Sequence, residues 1–234
     1  MPELPEVETV RTILKPFVVG QKIIATKINL PKILININPT KFSNELIGQS
    51  ITQFTRRGKF LTLELNNGAH IVIHLRMTGT LTIEDQTTVY EKHTHITLTF
   101  SNGKELRFID SRGFGHWWYF TNHETDTSGQ NLLGPEPNQI TFDYLKEKFT
   151  KRKKPLKTLL LDQHIIAGIG NIYADEICFR TQIRPTRQGN SLTDAEIQQL
   201  TNIIPAVIQE FIQIHNVSFD IYHQSKGTSY QKDT

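Results

Sequence analysis

Pro2, Glu3 and Glu6 raise a chemical question at the very start of the chain. If Met1 is removed, as a small second residue usually permits, Pro2 becomes a free secondary amine with a carboxylate beside it, a nucleophile next to an acid/base partner. The same residues also suit a helix start. Pro5 fits the first helical position, where its missing N–H costs nothing, and Glu3, Glu6 and Glu8 complement the positive end of a helix through Val7, Val10, Ile13 and Leu14. Three more stretches could carry chemistry. In LDQHIIAGIGNIYADE a turn at Gly168, Ile169 and Gly170 separates two helical segments, with Asn171 at the N-cap of the second. Exposed N–H groups at a helix start, an Asn amide and close backbone approach at glycine together make a phosphate cradle, or simply a tight helix connection. HLRMTGT ends an apolar strand with His74, Arg76 and Met77 before Gly79, the form of a basic hairpin with a flexible apolar tip. DSRGFGHWW holds Arg112 and Phe114 between glycines just past a strand, as a guanidinium and an aromatic wedge for a base stack or as a loop anchored by core aromatics. Lys146, Lys148, Lys151, Arg152, Lys153, Lys154 and Lys157 crowd one segment against Glu147, a field suited to phosphates or to plain solvation.

The elements that must position these groups fall into two textures. From about Ile23 to Phe120 short β-rich runs, ITQFTRR, KFLTLEL, HIVIHLR, TLTIE, HITLTF and ELRFID, alternate with turns at Asn66-Asn67-Gly68 and Ser101-Asn102-Gly103. Regular strands joined by Asn-Gly turns predict an antiparallel sandwich. After a loop from Thr121 to Gln139 the pattern turns helical in FDYLKEKF, PLKTLLLD, NIYADEICF and a long segment from Thr193 to Ile214. The fold class is therefore α+β. A helix and a two-sheet sandwich fill residues 1–125, a helical domain fills 135–218, and an irregular tail runs over 219–234. With 37% hydrophobic and 21% charged residues in 234, the composition is that of an ordinary soluble globular protein, and runs such as AHIVIHL are too short to span a membrane. The single cysteine, Cys178, excludes an internal disulfide and a multi-cysteine metal site, and suits a reducing cytoplasm. A net charge of +3 permits nucleic-acid binding without demanding it.

MPELPEVETV, RRGKF, HLRMTG, DSRGFG, GPEP and GIGNIYADE, in this order and over this length, closely resemble formamidopyrimidine-DNA glycosylases. The likeness runs to about Ser218, and PELPE with GIGNIY is its most specific part. The related endonuclease VIII branch usually carries another residue in place of Leu4. The resemblance implies a sandwich preceded by one helix, then a helix-two-turn-helix domain. It implies base-excision repair of oxidised purines in duplex DNA, formamidopyrimidine and 8-oxoguanine, with abasic-site lyase chemistry by β- and δ-elimination through a Pro2 Schiff base. By the same resemblance Glu3 moves protons at the sugar and Glu6 supports the site. Lys59 contacts the phosphate beside the lesion, and Asn171, at the Gly170 turn, another phosphate. His74 contacts the backbone, and Met77, Arg112 and Phe114 fill the gap left by the flipped nucleotide. Lys157 lies near that nucleotide. A monomer acting on damaged double-stranded DNA in the cytoplasm, with no membrane role, is the expectation.

One departure stands out. The family continues into a β-hairpin finger in which four cysteines hold a structural zinc, whereas here GTSYQKDT stands where that segment should begin. No zinc is expected in these residues, and no other cofactor is implied. Two alternatives follow: a truncated, non-catalytic DNA-binding relative, and an interaction module whose basic helical domain meets a protein.

Overall fold

Period-two apolar alternation and tight turns build two four-stranded antiparallel sheets in this computed structural model, which describes residues 2–225. The strands are β1 (Ile23–Ile28), β2 (Ile51–Arg57), β3 (Phe60–Leu65), β4 (His70–His74), β5 (Gly79–Asp85), β6 (Thr94–Phe100), β7 (Lys104–Asp110) and β8 (His116–Phe120). One sheet runs β1-β6-β7-β5 and the other β2-β3-β4-β8. The two Asn-Gly turns connect β3 to β4 and β6 to β7, with Gly68 and Gly103 at φ of 82° and 81°, left-handed values that favour glycine. Ile71, Ile73, Leu98, Phe108, Trp117 and Tyr119 lie in the core between the sheets, whereas Val72, Trp118 and Phe120 form a second cluster beneath Phe60. This two-sided burial makes HWWYF a strand, a run not named among those read from the sequence although it lies within the β-rich region to Phe120.

The helices are α1 (Leu4–Val18), α2 (Pro39–Leu46), α3 (Phe142–Thr150), α4 (Leu156–Leu161), α5 (Asn171–Thr181), α6 (Asp194–His215) and α7 (Phe219–Gln224). Helix α2 is absent from the sequence reading, although Asn38 caps it by accepting the Lys41 N–H at 2.9 Å and Pro39 opens it. Helix α1 belongs to both cores. Leu4 packs in the helical domain, and Val7, Val10, Ile13 and Leu14 pack in the sandwich. The residues ahead of α1 are thereby fixed at the seam between the domains. Pro5 falls one residue later than expected, because Glu3 is the N-cap and Leu4 the first helical residue.

The stretch after Ser218, expected to be irregular, is helical over Phe219–Gln224. Ser218 caps α7, Tyr222 is fully buried in the sandwich core with its hydroxyl donating to the Leu81 carbonyl, and His223 Nε2 lies 2.9 Å from Glu84 Oε1. Phe219 also packs on Phe17, with ring centres 4.3 Å apart, and two such aromatic anchors are a signal that apolar periodicity over so few residues does not carry. Residues 226–234, the rest of the expected tail, lie outside the described residues. No helix among the described residues is long and apolar enough to cross a membrane.

Candidate active site and nucleic-acid interface

The turn ahead of α5 and the residues ahead of α1 meet at the domain seam. Gly168 has a φ of +88°, and its carbonyl accepts the Leu4 N–H at 3.1 Å. Its neighbour Gly170 leaves room for Glu3, since a Cβ there would lie 2.3 Å from the Glu3 carboxyl carbon. The freed space is used by three backbone donors. Gly170 N–H reaches Glu3 Oε2 at 2.7 Å, Ile172 N–H reaches Oε1 at 3.0 Å, and Tyr173 N–H reaches Oε2 at 3.4 Å. A carboxylate from a distant helix thus occupies the positive end of α5. The N-cap of α5 is Gly170, not Asn171; the role expected of the Asn side chain is taken by Glu3, and Asn171 is the exposed first helical residue.

Glu3 is only 2% exposed. Burial pushes its carboxyl above the ordinary glutamate value, and the Ile172 N–H, the Lys59 ammonium and the other two N–H groups oppose that rise without cancelling it. Lys59 sits in the β2–β3 turn, buried, with Nζ donating to the Ile169 carbonyl at 3.0 Å. Burial lowers its pKa, and the charges of Glu3 and Glu6 work against that fall. Gln163 completes this corner by donating to the same carbonyl at 2.7 Å and accepting the Gly168 N–H at 2.9 Å. Glu6, one turn into α1, reaches back to the N–H of the Pro2–Glu3 peptide at 2.8 Å, which holds the half-buried Pro2 beside Glu3. Pro2, Glu3, Glu6, Lys59 and Gly170, scattered in sequence, form one cluster.

A second cluster lies at the β4–β5 hairpin and the β7–β8 loop. Met77 is 43% exposed and Phe114 46%, both high for large apolar side chains, and the Arg112 guanidinium lies 4.7 Å from the Phe114 ring centre. A cavity of about 510 Å³ opens between them, lined also by Lys32, Arg76 and His116. Asp110, at the end of β7, organises both loops. Its carboxylate accepts from the Thr78 hydroxyl of the hairpin, from Gly115 N–H at 2.7 Å and from Arg112 N–H at 3.2 Å. Burial would raise the Asp110 pKa, but these bonds outweigh it and hold the group as a carboxylate. Neither Asp110 nor Gln163 is legible as a site residue, because both act through contacts between segments far apart in sequence.

His74 stands between the clusters. It is buried edge-on against Phe60, with ring centres 4.7 Å apart, and its Nδ1 accepts the Arg76 N–H at 3.0 Å. Burial, aided by the charges of Arg76 and Lys59, pushes its pKa down to about 3, so the ring is neutral with its hydrogen on Nε2. Lys157 pairs with Asp175 of α5, Nζ to Oδ1 2.6 Å, on the helix whose N-terminus holds Glu3. Lys146 pairs likewise with Asp194 at 2.8 Å, so the basic run is partly neutralised. Among the described residues no three His, Cys, Asp or Glu side chains come together as a metal site. Cys178 is buried in α5, and burial raises its thiol pKa to about 11. Among the described residues Cys178 is the one thiol, so these residues do not supply a four-cysteine zinc site.

Comparison with known proteins agrees with this arrangement. Residues 1–117 match the formamidopyrimidine-DNA glycosylase N-terminal domain and residues 133–222 match the formamidopyrimidine-DNA glycosylase H2TH domain. The formamidopyrimidine-DNA glycosylase of Listeria monocytogenes EGD-e is 40% identical over 97% of this chain and 84% of its own length. That of Moorella thermoacetica is 38% identical over 97% of this chain and 84% of its own. Among solved structures, Lactococcus lactis Fpg (MutM) in complex with DNA containing N7-benzyl-Fapy-dG aligns with a TM-score of 0.87 at 34% identity, covering 92% of this chain and 81% of that one. A MutM complex with DNA containing carbocyclic 8-oxo-G gives 0.87 at 35% identity, covering 92% and 81%. Matched across both domains, with Glu3, Lys59 and the Gly168–Gly170 turn gathered at their seam, the chain belongs to the formamidopyrimidine-DNA glycosylase family, enzymes of base-excision DNA repair.

Proposed function

We propose that this chain removes oxidised purines, formamidopyrimidine and 8-oxoguanine, from duplex DNA and then cuts the resulting abasic site. The observation that carries the reading is the Glu3 carboxyl beside Pro2, buried, clamped by the N–H groups of Gly170, Ile172 and Tyr173, and facing the Lys59 charge. In the proposed reaction Met1 is absent and the Pro2 amine attacks the sugar C1′. The bond from C1′ to the base breaks, and its electrons leave with the base, which takes up the proton that the attacking amine gives up. Glu3, its pKa raised by burial, gives a proton to the sugar ring oxygen as the ring opens to an iminium. Loss of a C2′ proton then expels the 3′ phosphate, loss of a C4′ proton expels the 5′ phosphate, and water hydrolyses the remaining iminium to free Pro2 and an unsaturated aldehyde.

An α-amine suits this task better than a lysine. Near neutral pH a group of pKa about 8 is roughly a tenth unprotonated, against fewer than about one in a thousand for a lysine of pKa about 10.4. The start of α1, two residues on, disfavours the cation further.

The remaining residues hold the DNA. Lys59 reads the phosphate beside the lesion, and Asn171 with the Gly170 turn reads another. His74 serves as a neutral backbone donor. Met77, Arg112 and Phe114 fill the gap left by the extruded nucleotide, offsetting an unstacking cost of a few kcal/mol. Lys157 exchanges Asp175 for the neighbourhood of the flipped nucleotide. The active unit is a monomer working in the reducing cytoplasm, and no metal takes part within these residues. Single-turnover assays on duplexes carrying oxoguanine, formamidopyrimidine or plain guanine opposite cytosine test the reading. Release of the damaged bases alone, with binding that weakens steeply as salt rises, is expected. Intact damaged strands at saturating protein would refute it.

A further inference from the structure

Glu6, Tyr173 and His215 join α1, α5 and the last residue of α6 just beneath the amino terminus. The Tyr173 hydroxyl donates to Glu6 Oε1, His215 Nε2 lies 3.2 Å from that same oxygen, and the Tyr173 oxygen is 3.4 Å from Nε2. The other Glu6 oxygen accepts the Pro2–Glu3 peptide N–H at 2.8 Å. A ring nitrogen presenting a lone pair at this separation would repel a carboxylate oxygen. His215 Nε2 therefore carries a hydrogen; because the Tyr173 hydrogen is already given to Glu6, Nε2–H donates to the Tyr173 oxygen and sits at ion-pair distance from the Glu6 carboxylate.

The surroundings are consistent with that role. His215 is buried at the carbonyl end of a 22-residue helix, where the exposed carbonyls favour a proton-bearing ring. Burial lowers its pKa and the charge of Glu6 opposes the fall. Among the described residues the facing groups are the Glu6 carboxylate from α1, the Tyr173 phenol from α5 and the Phe211 ring from α6 itself, with ring centres 6.2 Å apart. Tyr173 stays a phenol, since burial and the neighbouring Glu6 both push its pKa up. Glu6 is thus gripped from two helices of the second domain while its free oxygen holds the peptide that bears the nucleophile.

We propose that His215 is a positioning residue for the terminal amine: from the end of α6 its Nε2–H, donated to the Tyr173 oxygen and set 3.2 Å from Glu6, braces the Tyr173–Glu6 pair, and Glu6 in turn fixes the Pro2–Glu3 peptide at the domain seam. This rests on the reading of Pro2 as the nucleophile. The helical domain, which binds the duplex in that reading, thereby sets the position of an amine attached to the other domain. A shift of α6 would be felt at Pro2 with no contact between them.

The test compares His215→Gln, whose side-chain amide can still donate to the Tyr173–Glu6 pair, with His215→Leu, which cannot. The rate of borohydride-trapped adduct formation is measured on an abasic duplex under single-turnover conditions, alongside duplex affinity and thermal stability. His215→Leu is expected to trap about tenfold more slowly or worse, with affinity little changed, and His215→Gln to recover most of the rate. Slowing of both variants in proportion to their loss of stability would overturn the proposal, as would a His215→Leu variant that traps like the parent. A parent that forms no adduct would instead defeat the Pro2 reading, and this proposal with it. An activity-independent measurement accompanies these: the His215 ring titration by NMR, whose pKa is expected to fall further in Glu6→Gln. An unmoved titration would show that the pair does not interact.

Discussion

Glutamine at position 3 keeps the shape of glutamate but not its ability to accept on both sides. The parent carboxylate takes N–H bonds at 2.7 Å and 3.4 Å on one oxygen and at 3.0 Å on the other. An amide whose oxygen serves Gly170 and Tyr173 turns its NH2 toward the Ile172 N–H, donor against donor. One buried donor left without an acceptor costs about 1–3 kcal/mol. For a chain of this size that corresponds to a fall in Tm of about 2–12 °C, at about 2–4 °C per kcal/mol. Its pH dependence has a definite sign. The Glu3 pKa is raised in the fold, so its contribution is fully present below the ordinary glutamate value and is lost as pH rises through the folded value. Calorimetry of parent and Glu3→Gln across that range should show the widest gap at the acid end, narrowing toward neutrality. A variant that melts with the parent at every pH would refute the clamp, and Glu3 would then be an ordinary catalytic side chain in a permissive pocket.

Gly170→Ala should lower both stability and abasic-site cleavage, because the new Cβ would stand 2.3 Å from the Glu3 carboxyl carbon; thermal melts and single-turnover rates check it, and a fully active variant would contradict the close approach. Arg112→Ala should weaken discrimination among bases opposite the lesion, a bidentate guanidinium contact contributing about 1–3 kcal/mol to base choice, whereas Met77→Ala should slow extrusion and leave specificity alone. Excision rates against each opposing base separate the two. His74, with a folded pKa of about 3 against an ordinary 6.5, should cost the parent stability as pH falls below 6.5. Between about pH 7 and pH 5 the loss is about 2 kcal/mol, and it should be missing from His74→Asn, whose side-chain oxygen replaces Nδ1 as acceptor for Arg76; urea titrations at the two pH values measure it.

The sandwich was legible because half-buried strands alternate with period two and because Gly68 and Gly103 mark turns that need a left-handed residue. HWWYF escaped that pattern by being buried on both faces, and α7 escaped because so short a helix, held by Tyr222 in the core, Phe219 on Phe17 and His223 on Glu84, shows no apolar period. Within the candidate site, Pro2, Glu3, Met77, Arg112 and Phe114 stood out as candidates from residue type and local context, and the family resemblance alone supplied the proposed roles of Met77, Arg112, Phe114, Lys59, His74 and Lys157. The contacts that organise them were not. Glu3 and Gly170 are 167 positions apart, and Glu6 meets Tyr173 and His215 only after α1 packs on the helical domain. Spacing along a chain carries no record of such pairs, so Asn171 was read as the cap of a helix whose cap site receives a carboxylate from the other end of the protein.

Covalent trapping with peptide mapping tests the central claim most directly. The purified chain is reacted with a duplex containing an abasic site in the presence of borohydride, digested, and the cross-linked peptide identified by mass spectrometry. The account predicts an adduct on the secondary amine of Pro2, in a terminal peptide from which Met1 is missing. An adduct on Lys59, or on any other lysine with the terminus unmodified, would contradict it.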